Sequence, residues 1–308
     1  MFFFIIYGNN KRYFHTSIVT NDIIKTDMKP FFSIIIPTLN EEKFVGKLLS
    51  DLSKQKFKDF EVIVVDAQSE DKTIEEVKKF DSLLNISKIV KIQGRNVSKQ
   101  RNKGAQLAIG PFLVFIDADA RIKSHFLHKL ASYIKIHKGL LFIPAFSVSK
   151  HDPQLGMILD FTNALISLSN KIGKPFSTGG SMILEKNFFD IIGGFPEDVP
   201  LSEDHLLVRN AYKYGVSAKF LSNITVKFSL RRFKREGKLK MLYKYIKSTI
   251  YFLAKGKVDK QIITYEMGGH LYNKSSKKVF KDLIKINPQQ LLKQFNENVL
   301  SFIRSLDI

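Results

Sequence analysis

Two carboxylates one residue apart close an apolar run in Ile-Asp-Ala-Asp (116–119). At that spacing Asp117 and Asp119 can aim oxygen ligands at one hard divalent cation, Mg²⁺ or Mn²⁺. Such a cation can bridge the two phosphates of a nucleotide-sugar and stabilise a departing diphosphate. The bland alternative is a solvated turn at a strand end, and the pair alone does not decide between them. A second acidic pair, Glu203-Asp204, opens a helical pattern over 204–214. Carboxylates are favoured there by the helix dipole whatever else they do. No His/Cys cluster offers a zinc site, and no Gly-x-x-x-x-Gly-Lys loop offers an ATPase.

Charge narrows the partner. The 308 residues carry 49 basic and 29 acidic side chains, a net of +20. That field favours nucleotide phosphates, nucleic acid or an acidic membrane surface. The chain has no cysteine, which removes disulfides and thiolate metal sites. Its length can bury the core of one large domain with a C-terminal extension. No segment reaches the roughly 20 apolar residues of a membrane-spanning helix. The opening MFFFIIY is apolar and lacks the basic start of a signal peptide. Residues 1–27 read as a poorly ordered arm, a short membrane-touching arm, or upstream sequence that a start at Met28 would omit.

The elements that must position these carboxylates alternate from residue 31. Strand patterns at 33–36, 61–65, 86–92 and 113–116 are separated by helical patterns at 44–52, 71–80 and 98–108. This alternation predicts a doubly wound, mostly parallel α/β sheet covered on both faces. Ligands bind such sheets at the carboxyl ends of the strands. Pro37, Asp66 and Asp117 stand at three of those ends, so their loops should converge on one crevice. Past residue 123 the pattern is mixed. Strand candidates lie at 140–149, 179–184 and 216–228, and helix candidates at 155–168 and 237–254. A further apolar helical stripe follows Asn287-Pro288.

Five blocks occur in order along this pattern. PTLNEE (37–42) follows the first strand and VVDAQSEDKT (64–73) contains the end of the second. RNVSKQRNKGAQLA (95–108) precedes the Asp-x-Asp strand. GGSMILEKNFFDIIGGFPE (179–197) and LSEDHLL (201–207) follow it. Together they resemble family 2 glycosyltransferases of the glycosyltransferase-A fold, over about residues 31–235. The resemblance implies an inverting transferase that takes a nucleotide-sugar donor, with a domain over 28–230 and a basic, mostly helical extension over 231–308.

The roles that follow are those the resemblance implies. Pro37, Thr38, Asn40 and Glu41 line the nucleotide pocket. Asp66 accepts the base N–H, which suits uracil; its other reading is a carboxylate at a helix start, where Ser69 or Asp71 would serve equally well. Arg101, Asn102 and Gly104 belong to the block facing the nucleotide. Asp119 is the principal metal ligand, and Asp117 supports the ribose and the loop or shares the metal. Gly179-Gly180 lies beside sugar and acceptor, or is a simple turn. Of Glu203 and Asp204, Asp204 removes the acceptor proton. Arg231-Arg232-Phe233 resembles a basic-aromatic segment that closes over the diphosphate. Relatives often carry tryptophan there and this chain has none, so the choice between Arg231 and Arg232 stays open.

Residues 227–257 hold eleven Lys or Arg against one acid, Glu236, interleaved with Tyr251, Phe252, Leu253 and other apolar residues. This reads as an anionic membrane-surface helix, or as a packed helix with a solvated lysine face. The first reading implies a cytoplasmic protein, peripheral on the inner face of a membrane, with a lipid-linked or glycan acceptor. A nucleic-acid partner is not expected, because no reading motif accompanies the charge. A nucleotidyltransferase of similar fold would carry a glycine-rich basic loop where this chain has PTLNEE. A nucleotide-sugar binder without turnover is the remaining alternative.

Overall fold

The computed structural model describes residues 29–84, 86–147, 162–163, 166–167, 169, 177, 181–199, 202–227, 229 and 231. In chain order the strands are β1 (Phe32–Thr38), β2 (Phe60–Asp66), β3 (Ile86–Lys91), β4 (Phe112–Phe115), β5 (Arg121–Ile122), β6 (Leu141–Ser147), β7 (Met182–Glu185) and β8 (Lys219–Lys227). The helices are α1 (Val45–Ser53), α2 (Thr73–Lys78), α3 (Val97–Leu107), α4 (Phe126–His137), α5 (Lys186–Ile191) and α6 (Glu203–Lys213). The eight strands form one sheet in the order β3-β2-β1-β4-β7-β6-β8-β5. β1 runs parallel to β2 and β4, β2 to β3, and β6 to β8. β7 is antiparallel to both β4 and β6, and β5 to β8.

Every residue of β1 and β2 is buried. A central strand with cover on both faces favours apolar side chains on both, as in Ile34–Ile36 and Val62–Val65, and the buried polar pair near the strand starts is satisfied internally, Ser33 Oγ donating to Glu61 Oε1 at 2.6 Å. The pleat then sorts them. Ile34, Ile36, Val62 and Val64 join one core with Leu48, Leu52 and Val77 of α1 and α2 and Leu127, Leu130 and Ile134 of α4. Ile35, Ile63 and Val65 join the opposite core with Ala105 of α3, Phe188 and Phe189 of α5, and Leu207, Val208 and Ala211 of α6. The architecture is three layers, helix on sheet on helix.

The predicted strands and helices up to residue 116 all form, with ends displaced by a residue or two. Helix α4 has no counterpart among the expected elements, although Leu127, Leu130, Ala131 and Ile134 make a clear 3.6-residue stripe in FLHKLASYIKIH. α5 and the two-residue β5 are too short to leave a periodic signal. The strand expected at 179–184 is β7, displaced to Met182–Glu185. Most of the helix expected at 155–168 lies outside the described residues. So do residues 1–28, Gly179, Gly180 and all of the C-terminal extension after Arg231.

Candidate active site

The register of β1 and β2 brings their carboxyl ends level, with Thr38 opposite Asp66. Thr38 Oγ1 donates to Asp66 Oδ1 at 2.8 Å. Ser69 donates to the same carboxylate twice, from Oγ to Oδ1 at 2.5 Å and from its N–H to Oδ2 at 2.8 Å. The loops that follow are stitched together. The Asn40 N–H donates to Ser69 Oγ, and Asn40 Oδ1 accepts from the Glu70 N–H. The Glu41 N–H donates to Thr73 Oγ1 at 2.7 Å. Gln100 of α3 donates from Nε2 to the carbonyls of Thr38 and Val65, both at 2.7 Å. Asp71, rather than Ser69, covers the start of α2, accepting from the Thr73 N–H at 3.0 Å. Three of the four described non-glycine residues with positive φ are Asn40, Gln68 and Ser202, all in loops of this crevice. Such backbone is held only where surrounding contacts over-determine it, as at ligand sites.

Two arginines organise the acids. Arg101 of α3, 2% exposed, donates to Asp117 Oδ1 at 2.9 Å and to Glu203 Oε1 at 2.8 Å. Its guanidinium lies 5.1 Å from the Phe195 ring centroid. Arg231 donates to Glu41 through both arms, at 2.5 and 2.7 Å, and its Nε lies 2.9 Å from Asp119 Oδ2. Five carboxylates thus meet two guanidiniums, since Asp204 adjoins Glu203, so acids outnumber bases in the crevice.

Burial and mutual repulsion raise the affinity of these acids for protons. Burial pushes Glu41 up to about 7 against the opposing pull of Arg231. Burial likewise lifts Asp204 to about 6, again opposed by Arg101. Glu203 moves the same way, through burial and then Asp204. His205, beside Asp204 and equally buried, is lowered to about 4 by burial and is therefore neutral. Its Nδ1 accepts from the Ser177 N–H at 3.2 Å, which puts the ring proton on Nε2. Burial works against the charge of Arg101, but Asp117 and Glu203 more than offset it.

Among the described residues no three His, Cys, Asp or Glu converge to enclose a metal. The Asp117 side chain is nevertheless 43% exposed and commits only Oδ1 to Arg101. Asp119 turns only Oδ2 to Arg231. Two carboxylate oxygens with a surplus of negative charge around them fit a hard cation whose remaining ligands are phosphate oxygens and water.

Not every residue singled out in the sequence faces this crevice with a free side chain. The Asn102 amide donates to the Phe195 carbonyl and Glu197 Oε1 and accepts from the Phe195 N–H, pinning the GGFPE turn. Gly104 allows α3 to lie on β1, where a Cβ would stand 2.4 Å from Ile35 Cγ2. Gly179, Gly180 and Arg232 lie outside the described residues. His205 and Gln100 went unnoticed. The adjacency of His205 to an acidic pair was its only signal, and Gln100 showed none, because its partners are backbone carbonyls of two distant strands.

The family model for glycosyl transferase family 2 matches residues 33–193, and the chain belongs to that family. It is 32% identical over 214 residues to the poly(ribitol-phosphate) beta-N-acetylglucosaminyltransferase TarS of Staphylococcus aureus strain MW2, a match over 67% of this chain and 36% of that relative. The chain thus matches little more than a third of the length of TarS. It is 27% identical over 248 residues, 73% of each chain, to the dolichyl N-acetyl-alpha-D-glucosaminyl phosphate 3-beta-D-2,3-diacetamido-2,3-dideoxy-beta-D-glucuronosyltransferase of Methanococcus voltae. The crystal structure of TarS superposes with a TM-score of 0.53 at 26% identity, over 73% of this chain and 40% of that one. The Pyrobaculum calidifontis mannosyltransferase PcManGT, solved with GDP-Man and Mn²⁺, superposes with a TM-score of 0.60 at 20% identity, over 75% of this chain and 65% of that one, and shares the fold.

Proposed function

We propose that this chain transfers a sugar, with inversion, from a UDP-linked donor to a hydroxyl of a lipid-linked or membrane-proximal glycan. The observation that carries the reading is the span of Arg101. One guanidinium touches Asp117 at the end of the nucleotide-side strand and Glu203 at the start of the helix bearing Asp204. A donor diphosphate and an acceptor hydroxyl can therefore meet in one crevice.

In this reading Asp204 accepts the acceptor's hydroxyl proton. The oxygen bonds to C1 of the sugar as the C1–O bond to the diphosphate breaks on the opposite face, and the nucleoside diphosphate departs with the electron pair. Burial at about 6 leaves Asp204 mostly ionised at neutral pH yet more basic than an ordinary carboxylate. Asp119 and Asp117 would hold Mg²⁺ or Mn²⁺, which supplies charge neutralisation for the leaving diphosphate. Pro37, Thr38, Asn40 and Asp66 form the floor of the base pocket. Asp66 Oδ2 accepts one hydrogen bond, and its second lone pair is the one assigned to the uracil N–H. Glu41 steadies Arg231 over the diphosphate side, with Arg232 beside it in sequence. Gly179-Gly180, outside the described residues, would serve the sugar and acceptor side, as the family resemblance implies.

The relatives support the substrate classes. TarS is named as an N-acetylglucosaminyltransferase acting on poly(ribitol-phosphate), and the Methanococcus enzyme as acting on a dolichyl-linked sugar phosphate. Among the described residues no helix is long and apolar enough to cross a membrane. The basic segment 231–257 supports peripheral attachment to an anionic inner leaflet. The test is a nucleotide-sugar hydrolysis screen with Mg²⁺ or Mn²⁺, scoring free nucleoside diphosphate. Release from a UDP-sugar in preference to a GDP-sugar is the expected result, and no release from any donor, with or without lipid-linked acceptors, overturns the reading.

A further inference from the structure

The sequence puts Arg101 in a block that faces the nucleotide, but its surroundings give it another task. It is buried, two of its nitrogens are committed to Asp117 and Glu203, and its flat face rests on Phe195. Its Nε has no hydrogen-bond partner, so its side-chain hydrogen bonds run through the two terminal arms. A lysine ammonium is a single point and cannot hold two carboxylates in a fixed planar relation.

We propose that Arg101 is a positioning residue: a strut that sets the helix start carrying Asp204 at a fixed distance from the strand end carrying Asp117, and not a ligand of the diphosphate. This rests on the reading of Asp204 as the base. The connected parts are packed and hydrogen-bonded to one another. Arg101 projects from α3, which Gly104 seats directly on β1 and which Gln100 ties to the ends of β1 and β2. Asn102, one residue on, pins Phe195, the ring under the guanidinium. Glu203 is the first residue of α6, and Ser202 before it has φ 70 and offers no side-chain cap to the helix start. The far side is held by His205, whose ring accepts from Ser177. Asp204 therefore sits between two tertiary anchors. The charged groups that bear on it are Arg101 from α3, Asp117 from the strand end, and Glu203 on its own helix.

The experiment uses the full chain with Arg101→Lys, Glu203→Gln and the double variant. UDP affinity is measured without turnover, kcat at saturating donor, and the pH profile of kcat. Misplacement of a reacting group by about 1 Å costs on the order of 100-fold in rate. The strut predicts kcat lower by about 10- to 100-fold in each single variant, UDP affinity unchanged within about twofold, and no further loss in the double variant. Its pH midpoint should also rise in Arg101→Lys, because the charge lies farther from Asp204. If UDP affinity falls and saturated kcat is unchanged, Arg101 is a diphosphate ligand and the proposal is overturned. Should Arg101→Lys fail to fold, Glu203→Gln and Glu203→Ala decide, since the first removes the charge at one end of the strut, the second removes the contact itself, and both keep the buried cation. Wild type that turns over no donor overturns the transferase reading instead, and the two failures are distinct.

Discussion

Arg231 grips Glu41 with both arms of its guanidinium, across 190 residues of chain, and the same group reaches Asp119. The pair joins the loop after β1 to the start of the basic C-terminal segment and stands against Asp119, the proposed cation ligand. Its partner Glu41 is raised to about 7, burial outweighing the arginine. The sign follows from linkage. A carboxyl whose folded pKa exceeds its unfolded one binds protons more tightly when folded, so stability is lost as pH rises from 4.5 through about 7. Glu41→Gln removes that proton. The difference in melting temperature between wild type and variant should therefore shift in favour of the variant between about pH 5 and pH 8. A difference that does not change with pH would show that Glu41 keeps an ordinary carboxyl affinity.

Asp204→Asn should keep donor binding and lose transfer. The amide matches in size but cannot take a proton, and a general base contributes about 10²- to 10⁴-fold. In the wild type kcat/KM should climb with pH through about 6, because the protonated acid is inactive. Steady-state assays from acid to neutral pH read the limb. A UDP affinity that collapses while kcat at saturation stays intact would make Asp204 a binding group.

Asp119→Asn removes one charged ligand from the proposed cation site. Turnover should fall by about 100-fold or more, since charge stabilisation by a metal contributes several kcal/mol. The fold should survive, because the loop after β4 is held by backbone and by Arg101 on Asp117. Mn²⁺ titration in the presence of UDP should show weakened binding alongside unchanged circular dichroism. Full activity in chelator would remove the cation from the mechanism.

Gly104→Ala tests packing rather than chemistry. The new methyl would meet Ile35 Cγ2 at 2.4 Å, in the core between α3 and β1. Overpacking costs about 1–3 kcal/mol, and the better helix propensity of alanine returns at most ~1. A thermal melt should show a net loss of several degrees, with UDP affinity changing little. An unchanged melting temperature would mean that Ile35 has room to turn away.

The basic segment 231–257 should bind anionic vesicles. Each Lys or Arg near an anionic surface contributes about 1 kcal/mol, and Tyr251, Phe252 and Leu253 can enter the headgroup boundary. Co-sedimentation should weaken with salt, because the main term is screened. It should fail when Lys238, Lys240, Lys244 and Lys247 are changed to Glu. Equal sedimentation of both proteins at low and high salt would leave those lysines as a solvated helix face.

Local pattern carried the first half of the fold, because each element there is written in its own residues. The apolar runs Ile34–Ile36 and Val62–Val65 mark strands covered on both faces, and Asp66 and Asp117 at the ends of the second and fourth strands mark the crevice. Those same signals located Asp66, Asp117, Asp119, Glu203 and Asp204 as acids at element ends. What each acid touches was settled only by tertiary structure, since its partner lies far along the chain. Arg101 meets Asp117 16 residues away and Glu203 102 residues away, and Arg231 meets Glu41 190 residues away. No periodicity encodes such pairings; they arise when strand register and helix seating bring loops together. Burial is likewise a property of the packed chain, so the raised affinities of Glu41 and Asp204 for protons, and the neutral ring of His205, come from the fold. Asn102 and Gly104, legible as part of a block, acquired their meaning there too, one as a clamp on Phe195 and the other as the space α3 needs to rest on Ile35.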